Sequence, residues 1–441
     1  MTDRGLNKND KMGAYWMPFT PNKAFKAAPR MLESADGLYV TTTEGRKIFD
    51  GSSGLWCSAL GHNHPKVTEA IRAQAGKLDY STAFQFGHPQ AFELAEILAE
   101  TLPGGLNHLF FTNSGSESVD TALKIALGYH RIRGEGQRTR FIGRFNGYHG
   151  VGFGGISVGG MVNNRKYFGA QLPGVDHMPF PYDASMHNSF GQPESGAQYA
   201  DELETIIALH DASTIAAVIV EPVVGSAGVY VPPKGYLKRL REITKKHGIL
   251  LIFDEVITAF GRLGYASASE RFGVEPDLMT MAKALTNGAV PMGAVAAQSA
   301  IYNTYMDGVE GVELFHGYTY SAHPLAVAAA LAAQRAYKEE GIYENVRENE
   351  QYFGEAIHAL KDAHSSITDV RNIGYMSALT HSRINDVPMS RSSKIFQRAY
   401  ENGLKVRVSG DTIAIAPPLI TKRRDIDLIT DMMVKTIKEV D

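Results

Sequence analysis

The stretch Leu250-Leu251-Ile252-Phe253-Asp254-Glu255-Val256-Ile257 decides the fold. Four large apolar residues in succession describe a strand covered on both faces, as in a parallel sheet, rather than one with a wet side. The run then delivers two adjacent carboxylates and returns to β-branched residues. Taking a carboxylate out of water is costly unless a partner compensates it. In an open parallel sheet, ligands bind where the strands end. The question this strand poses is which positive group meets its carboxylates.

Similar segments lie on either side. His108–Thr112, Arg140–Gly143, Ala216–Val220 and Asp277–Met281 read as strands. Helical patterns at Val67–Lys77, Pro89–Thr101, Ser116–Arg133 and Tyr236–His247 separate them. Buried strands alternating with helices indicate an α/β fold, a mainly parallel central sheet with helices on both faces. Residues 1–56 are mixed and read as β-rich. Pro324–Glu340 reads as a long helix with seven alanines among residues 326–336. Beyond about residue 340, helices alternate with short strands (Ile367–Arg371, Lys405–Val408, Thr412–Ile415), as in a separate small α+β lobe. Asp183–Gln198, rich in Ser, Gly and Pro, reads as a surface excursion inside the large unit.

A chain of 441 residues exceeds what one compact core usually serves. Hydrophobic residues make up 44% and charged residues 21%, and the net charge is −3, so bulk charge draws the protein neither to nucleic acid nor to an anionic membrane. The single cysteine, Cys57, excludes an intramolecular disulfide and suits a reducing compartment. With no signal-peptide pattern at the N-terminus and no apolar run of membrane-spanning length, the expectation is a soluble, cytoplasmic protein.

Several polar features fall where strands end. Thr112-Asn113-Ser114-Gly115-Ser116-Glu117-Ser118 joins a strand to a long helix. Small residues there let backbone N–H groups approach a phosphate, and the helix N-terminus adds positive potential. The same residues also suit an ordinary capped turn, with Ser or Asn as N-cap. Val218-Ile219-Val220-Glu221-Pro222 ends a second strand in a carboxylate. Met279-Thr280-Met281-Ala282-Lys283-Ala284 carries a lysine among apolar residues at the sheet end that holds Asp254. Burial disfavours the charged amine and makes it a nucleophile, whereas a lysine elsewhere usually reaches out to solvent. Arg144-Phe145-Asn146-Gly147-Tyr148-His149-Gly150 offers an exposed Tyr-His pair that could lie over a planar ligand, or a turn whose Tyr packs on the surface. Gly150-Val151-Gly152-Phe153-Gly154-Gly155 matches a dinucleotide fingerprint only by chance, since four residues separate it from the strand before it. His62-Asn63-His64 has a metal-like spacing without acidic or thiol partners nearby. A phosphate seat, an amine nucleophile, a strand-end acid and an aromatic platform have one common ligand, pyridoxal phosphate.

These blocks carry a resemblance over nearly the whole chain. LLIFDEVITAFGRLG, Pro276-Asp277-Leu278, Lys283, Pro291-Met292-Gly293, Tyr148-His149-Gly150 and Gly317-Tyr318-Thr319-Tyr320 resemble the class III pyridoxal-phosphate aminotransferases of fold type I. Trp16-Met17-Pro18-Phe19-Thr20, Ser53-Gly54-Leu55-Trp56, Ala83–Pro89 and Val406-Arg407 are most similar to the ω-amino acid (β-alanine):pyruvate aminotransferases within that class. The resemblance implies a small domain built from residues 1–58 and 331–441 around a large cofactor-binding domain at 59–330. It implies that Lys283 links to the cofactor and shuttles the substrate proton, and that Asp254 binds the pyridinium nitrogen. Tyr148 and Val256 would sandwich the ring, Glu221 would sit in its hydrogen-bonding shell, and Gly115 and Ser116 would hold the phosphate. Thr319 would complete the phosphate site from a second subunit, which implies a homodimer with shared sites, possibly paired into a homotetramer. Arg407 would receive the substrate carboxylate, with Phe19, Trp56, Phe84 and Phe86 as pocket walls, Phe84 and Phe86 reaching across the dimer. No metal is implied.

The implied reaction is ping-pong transfer of an amino group from an ω-amino acid or primary amine to pyruvate, giving an aldehyde or ketone and L-alanine. A taurine, GABA or diamine donor, a mutase or decarboxylase on the same fold, and a non-catalytic cofactor-bound protein stay open. Alternation along the opening strand directs Asp254 and Val256 to the site and Glu255 away from it.

Overall fold

The computed structural model describes residues 12–440. A meander of β1 (Leu32–Asp36), β2 (Tyr39–Thr42) and β3 (Lys47–Asp50) comes first. The central sheet holds seven strands: β4 (His108–Thr112), β5 (Arg140–Arg144), β6 (Val175–Met178), β7 (Ile215–Val220), β8 (Leu250–Asp254), β9 (Leu278–Met281) and β10 (Gly293–Ala297). Their spatial order is β4-β10-β9-β8-β7-β5-β6. Every pairing is parallel except those of β10, which runs antiparallel between β4 and β9. A second sheet, β11-β12-β15-β14, uses β11 (Ile367–Ile373), β12 (Met376–His381), β14 (Arg407–Ser409) and β15 (Thr412–Ile415). Between these, β13 (Leu404–Lys405) leaves the C-terminal segment and pairs parallel with β3 of the N-terminal one.

Strand β8 shows why its sequence is apolar throughout. Leu250 and Ile252 pack on one face with the helix Gly115–Ile132, and Leu251 and Phe253 pack on the other with the helices Glu202–His210 and Tyr236–Lys246. Each such side chain contributes about 1.5–3 kcal/mol on burial. By the same alternation Asp254 falls on the face of Gly115–Ile132, whose N-terminus lies at that end of the sheet.

The structure corrects the sequence expectations in three places. The strands β6, β10 and β12 went unrecognised. In β10 the reason is composition, since Gly-Ala-Val-Ala-Ala favours helix by local propensity and becomes a strand only through the neighbours on either side. The segment Asp183–Gln198 is more than a surface excursion. Asp369 on β11 accepts from Tyr182 Oη at 2.7 Å and Asn188 N at 2.7 Å, and Asn372 accepts from Gly191 N at 3.3 Å. Finally, β8 stops at Asp254, so Val256 reaches the site from the turn that follows and not from continued strand alternation.

Glu255 takes the opposite direction. It is fully buried, and its carboxylate accepts from Ala268 N at 2.6 Å, Ser269 N at 2.8 Å and Thr258 Oγ1 at 2.9 Å. Burial pushes its carboxyl up to about 7 against the pull of those donors. Glu255 therefore closes the loop between Val256 and Ser267 onto the sheet. In Glu255→Ala all three donors lose their acceptor, at about 1–3 kcal/mol each. Thermal unfolding should show a fall in Tm of about 5 °C or more.

Candidate active site

The carboxyl ends of β4, β5, β7 and β8, together with the turn after β9, surround a cleft. The register makes Val220 the neighbour of Phe253 and Asp254 the neighbour of Thr280. Glu221, Asp254 and Lys283 therefore come from three adjacent strands, and all three line the cleft.

Asp254 is 6% exposed. Its Oδ2 lies 2.8 Å from His149 Nδ1, and its Oδ1 accepts from Thr280 Oγ1 at 3.1 Å and Val256 N at 3.2 Å. His149 is itself buried, so the imidazole holds the carboxylate in one orientation. Glu221, 4% exposed, accepts from Tyr148 N at 2.9 Å and Gly225 N at 3.1 Å. Burial raises its carboxyl above the usual carboxylate range. It thereby fixes the turn that carries Tyr148 and His149. Arg144, buried beneath, donates to the Glu221 carbonyl at 2.8 Å.

Lys283 opens a short 3-10 turn directly after β9 and adopts a left-handed φ of 48°. A non-glycine residue in that region stores about 1–3 kcal/mol of strain, a common feature of functional residues. Burial pushes its amine below the ordinary lysine range, toward the neutral, nucleophilic form. Asn287 caps this turn and ties it to the N-terminal segment, accepting from Leu60 N and donating to the Gly61 carbonyl, each at 2.8 Å.

At the other side of the cleft the helix Gly115–Ile132 begins. Ser114 caps it, accepting from Glu117 N at 3.2 Å, and Glu117 accepts from Asn113 N at 2.7 Å. The turn is thus the capped one, and the same residues border the cleft. Gly115 and Ser116 line the cleft, where a Cβ on Gly115 would lie 2.8 Å from Val256 Cγ1. Gly150 has a φ of 88°, and a Cβ there would meet Ser116 Oγ at 2.4 Å. Small residues keep this cradle open, and Ser116 Oγ accepts from Val151 N at 3.1 Å. A cradle at a helix N-terminus, a strand-end acid and a desolvated lysine fit pyridoxal phosphate, with Tyr148 and Val256 as further lining.

Arg407 starts β14, and burial lowers its guanidinium while Tyr148 opposes that shift. Its Nε is buried without a hydrogen-bond partner, and among the described residues it has no carboxylate partner. Trp56 is 2% exposed and packs in the same apolar cluster as Ile257, Ala414 and Ala416, one layer behind the cleft. The other expected walls are not gathered at this cleft. Phe19, Phe84 and Phe86 are 77%, 52% and 72% exposed. Phe84 lies against Gly317, and Thr319, exposed nearby, accepts from Tyr80 Oη at 3.1 Å. His62 and His64 pair with Asp50 and Glu340.

His149 corrects the sequence expectation of an exposed Tyr-His pair: its ring is buried and turned to Asp254. The signal for it was its place beside Tyr148 after a strand, but nothing local indicated that its ring turns to β8.

Comparisons with known proteins agree with this arrangement. Residues 21–437 match the class III aminotransferase family. The chain is 55% identical to an omega-aminotransferase of Caulobacter vibrioides over the full length of both. It is 48% identical to a beta-alanine–pyruvate aminotransferase of Pseudomonas aeruginosa, over 95% of this chain and 94% of the relative. An amine transaminase from an uncultivated Pseudomonas species, solved with pyridoxal phosphate bound, superposes with a TM-score of 0.90 at 34% identity, covering 97% of this chain and 99% of that one. The fold is that of the pyridoxal-phosphate enzymes of fold type I, and the chain belongs to the class III aminotransferases.

Proposed function

We propose that this transaminase moves the amino group of an ω-amino acid such as β-alanine, or of a primary amine, to pyruvate, producing an aldehyde or ketone and L-alanine by a ping-pong mechanism. The observation that carries this reading is Arg407, a half-buried guanidinium beside Tyr148 without an acidic partner among the described residues. Such a group suits a carboxylate that arrives with the substrate, bound through two parallel N–H donors. The omega-amino acid and beta-alanine relatives at 45–55% identity support the donor class.

Pyridoxal phosphate, when bound, supplies an electron-poor ring that accepts the electrons freed at the substrate carbon and carries the amino group between the two half-reactions. Lys283 binds it as a neutral amine and then moves the proton at the substrate carbon. Asp254, oriented by His149 and Thr280, holds a proton on the ring nitrogen. Tyr148 and Val256 fix the ring plane, Glu221 steadies the Tyr148 turn, and Gly115 and Ser116 receive the phosphate. Trp56 backs the substrate side of the pocket.

The exposed aromatics and Thr319 extend the reading to a homodimer, possibly paired into a homotetramer. Tyr80 contacts Tyr320 and His323, and Phe84 and Thr319 lie beside them on one exposed surface. A second copy covering this surface brings Thr319, Phe84 and Phe86 to its own cleft, and Phe19 completes the wall near the entrance. The domain reading is a small domain at 1–58 and 331–441 around a large one at 59–330, with the later boundary inside the helix Pro324–Glu339. The pairing of β13 with β3 supports uniting the two terminal segments. A cytoplasmic location fits the single cysteine and the lack, among the described residues, of a helix long and apolar enough to cross a membrane.

Lys283→Ala should abolish the visible absorbance of bound cofactor and lower turnover by more than about 10,000-fold; spectrophotometry and a β-alanine–pyruvate assay read both. Asp254→Asn should still bind cofactor but slow the donor half-reaction by about 100- to 1,000-fold, because a neutral amide supports the ring proton poorly. Stopped-flow measurement of that half-reaction checks it. Arg407→Ala should lower kcat/KM for β-alanine and pyruvate by about 10- to 100-fold. The half-reaction of 1-phenylethylamine, which has no carboxylate, should change less than about threefold, and equal losses would remove Arg407 from substrate recognition.

A further inference from the structure

The turn that carries Trp56 and the short strand β13, which leads into the strand of Arg407, meet at one ion pair. Asp50 ends β3 and is fully buried. Its Oδ1 accepts from Lys405 Nζ at 2.9 Å, Ser52 Oγ at 2.9 Å and Ser52 N at 3.0 Å. Its Oδ2 accepts from Gly54 N at 2.5 Å and lies 2.8 Å from His62 Nε2. Burial pushes this carboxyl up, but His62 and Lys405 outweigh it and hold the group well below the usual carboxylate range. Lys405 spends its other two protons on Ser52 Oγ at 2.8 Å and the Gly54 carbonyl at 2.6 Å.

The turn under this clamp is strained. Ser53, Gly54 and Trp56 have φ values of 49°, 71° and 65°. Left-handed backbone at Ser53 and Trp56 needs outside support, and Ser53 Oγ adds only a bond to the Ala416 carbonyl at 2.7 Å and one from Arg262 Nη2 at 3.1 Å. On the other side, Lys405 lies two residues before Arg407. Arg407 pairs with Ala414, which packs in the Trp56 cluster.

We propose that Lys405, through its ion pair with Asp50, is a positioning residue for substrate recognition: it sets the separation between the Trp56 wall and the Arg407 guanidinium, and so the length of carboxylate substrate the pocket accepts. This rests on the reading of Arg407 as the carboxylate receptor. Neither residue lines the cleft, and nothing in the chemistry of the cofactor requires them.

The test compares holoenzyme with Lys405→Met, with Lys405→Arg, which keeps the charge, and with Asp50→Asn/Lys405→Met, which removes both charges together so that no buried acid is left unpaired. In the Met variants KM for pyruvate and β-alanine should rise about tenfold, less than the roughly 100-fold that a misplacement of about 1 Å can cost. The dissociation constant of the unreactive carboxylate propionate, by titration calorimetry, should rise in parallel. The 1-phenylethylamine half-reaction and the cofactor absorbance should move less than about twofold, and Lys405→Arg should recover most of the loss. Equal losses with charged and uncharged donors, no change in propionate binding, or failure of both Met variants to form holoenzyme would each overturn the inference. Arg407→Ala separates the two readings. If it spares propionate binding, the receptor assignment falls. If it abolishes binding while the Lys405 variants leave it intact, only the positioning role falls.

Discussion

The arrangement of the site depends on one buried carboxylate, Asp254, that has no lysine or arginine partner among the described residues. It survives burial because each of its contacts can donate to it: the imidazole of His149, the hydroxyl of Thr280 and the N–H of Val256. These donors hold the carboxylate in one orientation at the strand end, where a cation that docks in the cleft meets a fixed negative group. The sheet dictates where such a cation can sit. With neighbouring strands about 4.8 Å apart, the ends of β7, β8 and β9 place Glu221, Asp254 and Lys283 around one small volume.

The charges at the rest of the cleft follow the same logic of incompleteness. Burial drives Lys283 toward the neutral amine, raises Glu221 and lowers the guanidinium of Arg407. The helix Gly115–Ile132 aims its free N–H groups and positive end at the cleft from the β4 side. Under the proposed reading, an occupant with an anionic phosphate at one end, a protonated ring nitrogen at the other, and a substrate carboxylate toward Arg407 would satisfy all of them together. Shifted groups of this kind in one cleft, here Lys283 and Glu221 with Arg407 beside Tyr148, mark a candidate functional site.

What was legible in the sequence follows from the distance over which each feature is determined. Asp254 and Lys283 could be read because a buried strand announces itself in four or five residues and its end is where chemistry collects. The capped turn at Thr112–Ser118 was also visible, although its residues alone could not decide between a cap and an anion seat. The strand β10 was not legible, because its alanines become a strand only between β4 and β9. His149 was seen beside Tyr148, but its partner lies 105 residues away. The pinning of Asp183–Gln198 by Asp369 spans a similar gap, with Asn188 and Asp369 separated by 181 residues.

Specificity is harder to read than chemistry for the same reason. The groups that react sit at the ends of adjacent strands, where sheet register alone brings them together. The groups proposed to measure the substrate, Trp56 and Arg407, belong to opposite ends of the chain, and the contact that joins their supports, Lys405 to Asp50, spans 355 residues. Each half is unremarkable in isolation: an acid ending a strand, and a lysine before a short strand. Only the pairing of β13 with β3 places one against the other. If pocket dimensions are set where the two terminal segments meet, as proposed for Lys405, changes in donor preference can arise from residues that never touch the donor.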